Sequence, residues 1–439
     1  MAFLDNVFSI KTKGVHDIIT IFGLKLKIKS HKIYTEVRNN YDKVLSNLKR
    51  KVKTEKINIV FISNEPQKWS YNSLYKKFAN SKFFEPVIVI YPLERLSKEE
   101  KITYLKEHYK FYADKGFNIK YGYYKDKNIP IKMFNPDIVF YPQPSDKIND
   151  NSPNNVSKFA LTMYCPYGVL TFKNKNNYKQ DFHKFLFTYF CEHDLNIKRY
   201  ETYKKGNSKN CISVGYPKLD EFLEDHYIDE SKYWKNPDKF KIIYAPHHSF
   251  KNNGSTHIST FLENGRYILE LAKLYSDTTT WIFKPHPRLK YVLKEKGYMN
   301  DSDIEKYWNE WASIGRIYDS GDYIDIFKSS DLMITDCSSF LIEYLPSMHP
   351  LIRLVKKKSL AVNDFCKKCI SQYYFANDNI ELQNIFENLV LNNNDYKKEK
   401  RKELVKDIVD KNQPSADKIY DYILKILEIE CINNEKNIN

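Results

Sequence analysis

Three short segments in the second half of the sequence follow apolar, β-forming runs and carry side chains that can bind an anion. Hydroxyl, ammonium, guanidinium and imidazole groups are common ligands of phosphate in proteins. Because parallel strands end at one edge of their sheet, the side chains that follow them should meet there. The spacing therefore predicts an anion-binding site at this edge, with His247, His248, Lys284, His286, Arg288, Ser338 and Ser339 as possible phosphate ligands. The carboxylates Asp336 and Glu343 belong to the same predicted site.

The segment WIFKPHPRLK, residues 281–290, holds His286 between two prolines. Proline fixes its own φ and restricts the residue before it, so the backbone around His286 should be rigid. A rigid backbone loses little entropy when a ligand binds, which suits a binding residue. In the alternative interpretation the segment is a basic surface turn and His286 only caps the backbone.

The segment ITDCSSFLIEY places Ser338 and Ser339 where a helix should begin. Their hydroxyls and the free N–H groups of a first helical turn can bind phosphate. In the alternative interpretation the two serines only cap the helix. Glu343 lies one turn beyond Ser339 and should face the same side, where a carboxylate suits a pair of ribose hydroxyls.

Alternating strands and helices must position these loops. Strands separated by helical segments predict right-handed crossovers and a parallel sheet. Two such series follow one another, so the sequence predicts an α/β protein with two Rossmann-like, doubly wound domains that face a cleft. The predicted strands are 57–63, 86–92, 117–123, 136–144, 158–164 and 184–192 in the first domain, and 241–248, 278–287, 315–320, 330–339 and 350–355 in the second.

Composition shifts divide the chain into four predicted parts. Residues 1–50 form a small, β-rich extension with a basic meander, 51–228 form the first domain, 229–430 form the second, and 431–439 form a frayed tail. The polar stretch 227–240 is typical of a linker between the domains. The lysine-rich face of the meander suits either an anionic lipid surface or protection of a sheet edge.

The overall charge favours an anionic partner. The chain of 439 residues has 70 Lys and Arg against 55 Asp and Glu, a net charge of +15. Its basic residues are spread along the chain and no recognition-helix motif is present, which disfavours a nucleic-acid-binding protein. Seven cysteines, an odd number, indicate reduced thiols. No signal peptide, apolar span or Asp-rich metal motif is evident, so we expect a cytoplasmic protein without a metal or cofactor.

Four motifs resemble the CDP-glycerol glycerophosphotransferase family, which primes and polymerises teichoic acids and related phosphopolyol capsules. They are VGYPKLD, IIYAPHHSF, FKPHPR and SSDLMITDCSSFLIEY, in the family's order and approximate spacing over residues 55–410. The resemblance implies the two-domain GT-B architecture with CDP-glycerol as donor substrate. It also implies that His286, Ser338 and Ser339 bind the donor pyrophosphate, that Glu343 binds the ribose, and that the first domain binds the acceptor.

The sequence departs from the family in two ways. One affects which residue could be the catalytic base, and the other affects which kind of glycan is the expected product. Many members have a W-H-G loop whose histidine is a candidate base, whereas here YCPYGVL places Tyr167 and Gly168 on the acceptor side. Tyrosine loses its proton only near pH 10, so we expect His247 or His248 to accept the proton of the acceptor hydroxyl. The N-terminal segment resembles leaders on surface-glycan transferases of host-associated Gram-negative bacteria, which favours a capsule or lipopolysaccharide product.

The resulting prediction is an enzyme that transfers glycerol phosphate from CDP-glycerol to a hydroxyl of a glycan or lipid-linked acceptor and releases CMP. Peripheral association with the anionic inner face of the cytoplasmic membrane is expected from the basic extension. In the alternative, a GT-B capsule or lipopolysaccharide enzyme uses CDP-ribitol or a CMP-sugar. A basic nucleic-acid-binding protein is the remote alternative.

Overall fold

The computed structural model describes residues 8–13, 16–21, 24–29, 31–144, 151–173, 181–204, 208–250, 258–319, 322–356 and 361–430. For residues 8–31 and 203–204 it describes the backbone alone. The frayed tail predicted for residues 431–439 lies outside these ranges. Among the described helices, none is both long and apolar enough to cross a membrane.

The N-terminal extension forms a small antiparallel sheet, as predicted. Strands β1 (Phe8–Lys13), β2 (His16–Ile21) and β3 (Leu24–Lys29) follow one another in the order β1-β2-β3. The lysine-rich face predicted for this sheet concerns side chains outside the described part of the chain. The helix His31–Lys51 follows the sheet and packs Val37 and Tyr41 into the core of the first domain.

The first domain is built on a seven-stranded parallel sheet with the order β12-β11-β10-β9-β4-β5-β6. Its central strands are continuous apolar runs because helices cover both of their faces. The short strands β7 (Tyr123–Tyr124) and β8 (Lys127–Asn128) form a separate hairpin. The sheet strands are β4 (Ile57–Ser63), β5 (Phe84–Ile90), β6 (Ile119–Tyr121), β9 (Ile138–Tyr141), β10 (Leu161–Tyr164), β11 (Thr188–Cys191) and β12 (Cys211–Ser213).

One predicted strand of this domain includes part of a helix. The apolar run 184–192 contains the end of the helix Asp181–Phe185 and then β11. A short buried apolar run fits either element, since its periodicity does not distinguish them. The other helices of the domain are Asn72–Ala79, Lys98–Ala113, Pro153–Val156 and Asp194–Lys204.

The second domain is built on a six-stranded parallel sheet with the order β15-β14-β13-β16-β17-β18. Its strands are β13 (Phe240–Ala245), β14 (Thr279–Phe283), β15 (Arg316–Ile317), β16 (Leu332–Thr335), β17 (Leu351–Leu354) and β18 (Tyr374–Ala376). Its helices are Phe261–Leu274, Leu289–Glu295, Asp301–Ile314, Ile324–Ser329, Phe340–Glu343, Asp364–Ile370, Asn379–Val390 and Lys398–Ile408. Strand β13 lies between β14 and β16, so the three predicted anion-binding loops leave neighbouring strands at one edge of the sheet.

The predicted linker 227–240 is fixed to the second domain. Trp234 is completely buried in the core beneath β13, and its indole N–H donates to Ser329 Oγ at 3.0 Å. This segment is polar in composition, but its one buried tryptophan attaches it to the second domain. The connection between the domains is held in place at this residue.

The last described helix, Ser415–Ile426, packs on the first domain. Ile419 and Ile423 lie in the same core as β4, and Asp417 pairs with Lys77 at 2.7 Å. This differs from the predicted boundary, which places all residues up to 430 in the second domain. The apolar face of the helix fits the first core, so the chain crosses between the two domains twice.

Candidate functional site

The three histidines predicted for the site form one cluster. His247 and His248 follow β13, and His286 follows β14. The ring centroids are 4.4 Å apart for His247 and His248, 4.9 Å for His247 and His286, and 3.9 Å for His248 and His286. The loops are joined by a hydrogen bond of 3.0 Å from the His286 N–H to the Pro246 carbonyl.

Backbone amides determine which ring nitrogen carries the proton in two of these histidines. The Ser249 N–H donates to Nδ1 of His247 at 3.2 Å, and the Arg288 N–H donates to Nδ1 of His286 at 3.1 Å. An Nδ1 that accepts a hydrogen bond is unprotonated, so the neutral ring carries its hydrogen on Nε2. His247 and His286 therefore each offer one fixed N–H donor.

The cluster is uncharged at neutral pH. Burial, with the nearby His248 and Arg288, lowers the pKa of His286 to about 3. Burial and Arg288 lower the pKa of His248 to about 4. Burial and the two neighbouring rings hold the pKa of His247 well below 6.5. The three rings therefore present dipoles without net charge at neutral pH.

The histidine cluster is also compact enough for a metal ion, since one ligand nitrogen from each residue lies within 4.8 Å of the others. A metal needs a lone pair from each nitrogen that binds it. The Nε2 atoms of His247 and His286 carry hydrogens in the tautomers that the backbone imposes. The arrangement fits an anion better than a cation, and the expected absence of a metal stays a prediction.

Asp336 holds the histidine loop rather than facing the cleft. One carboxylate oxygen accepts the His247 N–H at 2.6 Å, and the other accepts the N–H and hydroxyl of Thr260 at 2.6 and 3.1 Å. The side chain is buried. In this geometry Asp336 can affect a donor substrate only through the position of His247, although the sequence predicts a direct contact.

Ser338 and Ser339 face the cleft. The helix that follows them, Phe340–Glu343, is one turn long, and the side chain of Ser339 does not cap it. The Ser339 hydroxyl is therefore free of the capping role considered as the alternative and lies 3.5 Å from Cys337 Sγ, but so short a helix contributes little dipole. Both serines line a cavity of about 390 Å³ whose opposite wall belongs to the first domain.

Beneath the serines lies a buried group of charges. Lys284 is 7% exposed, and its Nζ is 4.9 Å from the centre of the Tyr323 ring. Burial and the neighbouring Lys218 lower the pKa of Lys284 to about 8. Glu343 accepts the Tyr323 hydroxyl, and burial raises the pKa of its carboxyl.

Sequence reasoning missed Lys218 and Tyr323. The Lys218 Nζ lies 3.9 Å from the Tyr323 ring centre, and its charge acts on Glu343. Lys218 belongs to the VGYPKLD motif, so that motif contains a signal for it. Tyr323 belongs to none of the four motifs, and only the folded structure shows that it lies at the site.

The remaining predicted residues lie at the edges of the site. Arg288 is exposed, so its main contact with the cluster is through its backbone. Burial and Glu65 raise the pKa of Tyr167, which makes this tyrosine a still poorer base. Gly168 brings the first-domain backbone against the second domain, because a Cβ at this residue would lie 3.6 Å from Glu343 Oε1.

Comparison with solved structures confirms the fold. A variant of the wall teichoic acid polymerase TagF superposes with a TM-score of 0.53 at 14% identity, covering 90% of this chain and 97% of that one. The UDP-N-acetylglucosamine 2-epimerase of Neisseria meningitidis, solved with UDP-GlcNAc, gives 0.54 at 12% identity, covering 84% and 100%. The S. aureus MnaA–UDP structure gives 0.52 at 13% identity, covering 85% and 98%. The two Rossmann-like domains have the GT-B arrangement, as predicted.

Comparison with curated protein sequences gives no match. The family model described as CDP-Glycerol:Poly(glycerophosphate) glycerophosphotransferase matches residues 174–425, more than half of the chain. The matched region contains the histidine cluster, the paired serines and Glu343. The protein belongs to the CDP-glycerol:poly(glycerophosphate) glycerophosphotransferase family.

Proposed function

We propose that the protein transfers glycerol phosphate from CDP-glycerol to an acceptor hydroxyl, releasing CMP, in the synthesis of a teichoic-acid-like capsule or surface glycan. The observation that carries this proposal is the pair of fixed imidazole N–H donors at the edge of the second sheet, in a chain that belongs to this family. Neutral N–H groups that backbone amides hold in place suit a pyrophosphate, because neither imidazole must gain or lose a proton to bind it.

In the proposed reaction the acceptor oxygen attacks the β-phosphorus of CDP-glycerol, and the bond from that phosphorus to the CMP oxygen breaks. Negative charge grows on the departing CMP. Fixed dipoles aimed at that charge stabilise the transition state more than the ground state. His286, Ser338 and Ser339 are the residues proposed to supply them, with Lys284 adding positive charge from beneath.

The proton of the acceptor hydroxyl needs a base. Nδ1 of His247 already accepts the Ser249 amide, whereas no described backbone amide donates to a ring nitrogen of His248. His248 is therefore the better candidate of the two predicted bases. A bound pyrophosphate would raise its pKa from about 4 by favouring the charged ring, which makes it a stronger base in the complex.

The decisive experiment measures CMP release by the purified protein. CDP-glycerol, CDP-ribitol, CMP-sialic acid and CMP-Kdo are each supplied with an acceptor preparation from the capsule or lipopolysaccharide, and UDP-GlcNAc serves as a control. We expect acceptor-dependent CMP release from CDP-glycerol. Faster turnover of CDP-ribitol or a CMP-sugar would replace the proposed donor, and no CMP from any donor would refute the proposal.

The same proposal places the enzyme at the inner face of the cytoplasmic membrane. Its net charge of +15 and the lysines of residues 8–29 favour an anionic lipid surface, with each basic contact worth about 1 kcal/mol. Co-sedimentation with phosphatidylglycerol vesicles over a salt series tests this location. Binding that depends on neither anionic lipid nor salt would contradict it.

A further inference from the structure

We propose that Asp322 is a positioning residue of the donor site. Two side chains of the first domain bind its carboxylate, and Asp322 in turn fixes Tyr323 and, through Tyr323, the carboxylate of Glu343. This inference rests on the proposed function, with Glu343 at the ribose of the donor, and adds a residue that acts without touching the substrate. A continuous series of contacts joins the first domain to Glu343 through this residue.

The first contact crosses between the domains. Oδ2 of Asp322 lies 3.2 Å from the Lys115 Nζ and 3.3 Å from the Asn72 Nδ2. Lys115 and Asn72 belong to the first domain, whereas Asp322 lies just before the helix Ile324–Ser329 of the second. The two bonds therefore form only when the domains are arranged as they are in this structure.

The amide of Asn72 is oriented for this contact. The Trp69 indole N–H donates to Oδ1 of Asn72 at 2.7 Å, so the amide oxygen is occupied and the NH₂ group is left to donate. The same Nδ2 also donates to Glu221 Oε2 at 3.0 Å. An amide that is already oriented loses little entropy when it binds the carboxylate.

Asp322 keeps its negative charge in this contact. Burial opposes ionisation, but Lys218 and Lys115 hold the pKa of Asp322 below its ordinary value. Burial and the charge of Asp322 instead raise the pKa of the neighbouring Glu221 to about 7. Of the two carboxyls that Asn72 contacts, Asp322 is therefore the one that forms an ion pair with Lys115.

The second domain holds the other polar atoms of Asp322. The Tyr318 hydroxyl donates to its carbonyl, and its Oδ1 accepts the Ile324 N–H at 3.4 Å. Because both domains hold Asp322, its backbone has little freedom. Tyr323 is the next residue in the chain, so the same contacts determine where its ring begins.

Tyr323 passes this constraint to the donor site. Its hydroxyl donates to Glu343 Oε2, and the Nζ atoms of Lys218 and Lys284 lie 3.9 and 4.9 Å from its ring centre. The hydroxyl occupies one oxygen of the Glu343 carboxylate and leaves Oε1 for the hydroxyls of a ribose. Binding groups must be held within about 0.5 Å of their productive positions, so a displaced Tyr323 ring should weaken the contact with the ribose.

The test measures how well the protein distinguishes ribose from deoxyribose. Calorimetry gives the Kd of CMP and of 2′-deoxy-CMP for the full-length protein, without acceptor or turnover. We expect the wild type to bind CMP about 10-fold or more tightly, because the deoxynucleotide lacks a hydrogen bond to a carboxylate. In Asp322→Ala this preference should fall by about 3- to 10-fold. Asp322→Asn keeps an oxygen that accepts hydrogen bonds and should retain part of the preference.

Two other single variants supply a partner and a control. Lys115→Gln changes the first domain alone and should reduce the preference as Asp322→Ala does, which tests the inference even if Asp322→Ala folds poorly. Asp364→Ala is the matched control, because Asp364 of the second domain also pairs with the first domain, with Lys173 at 3.5 Å and Arg199 at 3.4 Å. It should leave the preference unchanged. Thermal melts of each variant accompany the calorimetry.

A double-mutant cycle shows whether Asp322 acts through Tyr323. Tyr323→Phe removes the hydroxyl that holds Glu343, so it should reduce the preference by itself. Little should then be left for Asp322→Ala to remove in the double variant, because the two changes break one series of contacts. Additive losses in the double variant would overturn the inference.

The remaining outcomes separate this inference from the proposed function. If Asp322→Ala and Lys115→Gln weaken both nucleotides by an equal factor, or if the wild type shows no preference for CMP, the inference is wrong even for an enzyme that turns over CDP-glycerol. A preference for CMP that both variants reduce, in a protein that releases no CMP from CDP-glycerol, would support the inference and count against the proposed donor.

Discussion

Replacing His286 with alanine removes one fixed N–H donor and leaves its loop in place. The backbone hydrogen bonds of this residue, from its N–H to the Pro246 carbonyl and from the Leu289 N–H to its own carbonyl, measure 3.0 and 2.7 Å and do not depend on the side chain. Prolines on both sides restrict the same backbone. We therefore expect the variant to fold.

The size of the kinetic effect follows from the charge that the N–H group of His286 faces. A single preorganised donor to a developing anion is worth about 2.7–4 kcal/mol, or 10²- to 10³-fold in kcat. The His286 ring is neutral, since its pKa is about 3, so the lower end of this range applies. We expect kcat and kcat/KM to fall together by about 100-fold, because the contact strengthens as CMP departs.

Two companion variants separate the N–H donor from other effects. His286→Gln keeps an amide N–H near the position of Nε2 and should recover part of the activity. Arg288→Ala keeps the backbone amide that fixes the ring and should cost much less than His286→Ala. Steady-state kinetics of CMP release are measured beside thermal melts. A near-normal kcat with a lowered melting temperature in His286→Ala would show that the histidine only supports the turn.

Three further outcomes are expected. Ser338→Ala combined with Ser339→Ala should weaken CDP-glycerol binding by about 1.5–3 kcal/mol for each lost charge-assisted bond, measured by calorimetry, and unchanged affinity would remove the serines from the site. The pKa of His248 is near 6.5 in the unfolded state and about 4 in the folded state, so its contribution to stability is complete above pH 6.5 and is lost as the pH falls toward 4. The free energies of urea unfolding of wild type and His248→Gln should therefore differ by an amount that changes between pH 6.5 and pH 4. A difference that stays constant over this range would contradict the lowered pKa. Trp234→Ala should lower the free energy of unfolding by about 3–5 kcal/mol, whereas a loss below 1 kcal/mol would show that residues 227–240 are a free linker.

The sequence predicts the sheets and the meeting of the loops because both follow from local patterns. Apolar runs between helices identify the strands, and parallel topology then brings His247 and His286 to one edge. The functions of single polar residues depend instead on distant partners. Asp336 has the residue type of a ligand, but the amides of His247 and Thr260 occupy its oxygens, and no local pattern specifies that pairing.

Two other features were beyond local patterns for the same reason. Trp234 lies in a polar stretch, and its burial depends on the space that the second domain leaves beneath β13. Lys218 and Tyr323 are about 100 residues apart, and only the folded chain brings the ammonium over the ring. Contacts between residues so far apart in the sequence determine the charge of the site. The sequence alone therefore identifies candidate site residues but does not assign a role to each of them.

The return of the helix Ser415–Ile426 to the first domain affects how the protein is made. The last strand of the first sheet ends at Ser213, about 200 residues before that helix is complete. At about 5–20 residues per second, the ribosome needs about 10–40 s to supply it. During this interval the apolar surface that Ile419 and Ile423 later cover is open on the nascent chain. The first domain thus begins to fold first and is completed last, which makes it a candidate client for chaperones during synthesis.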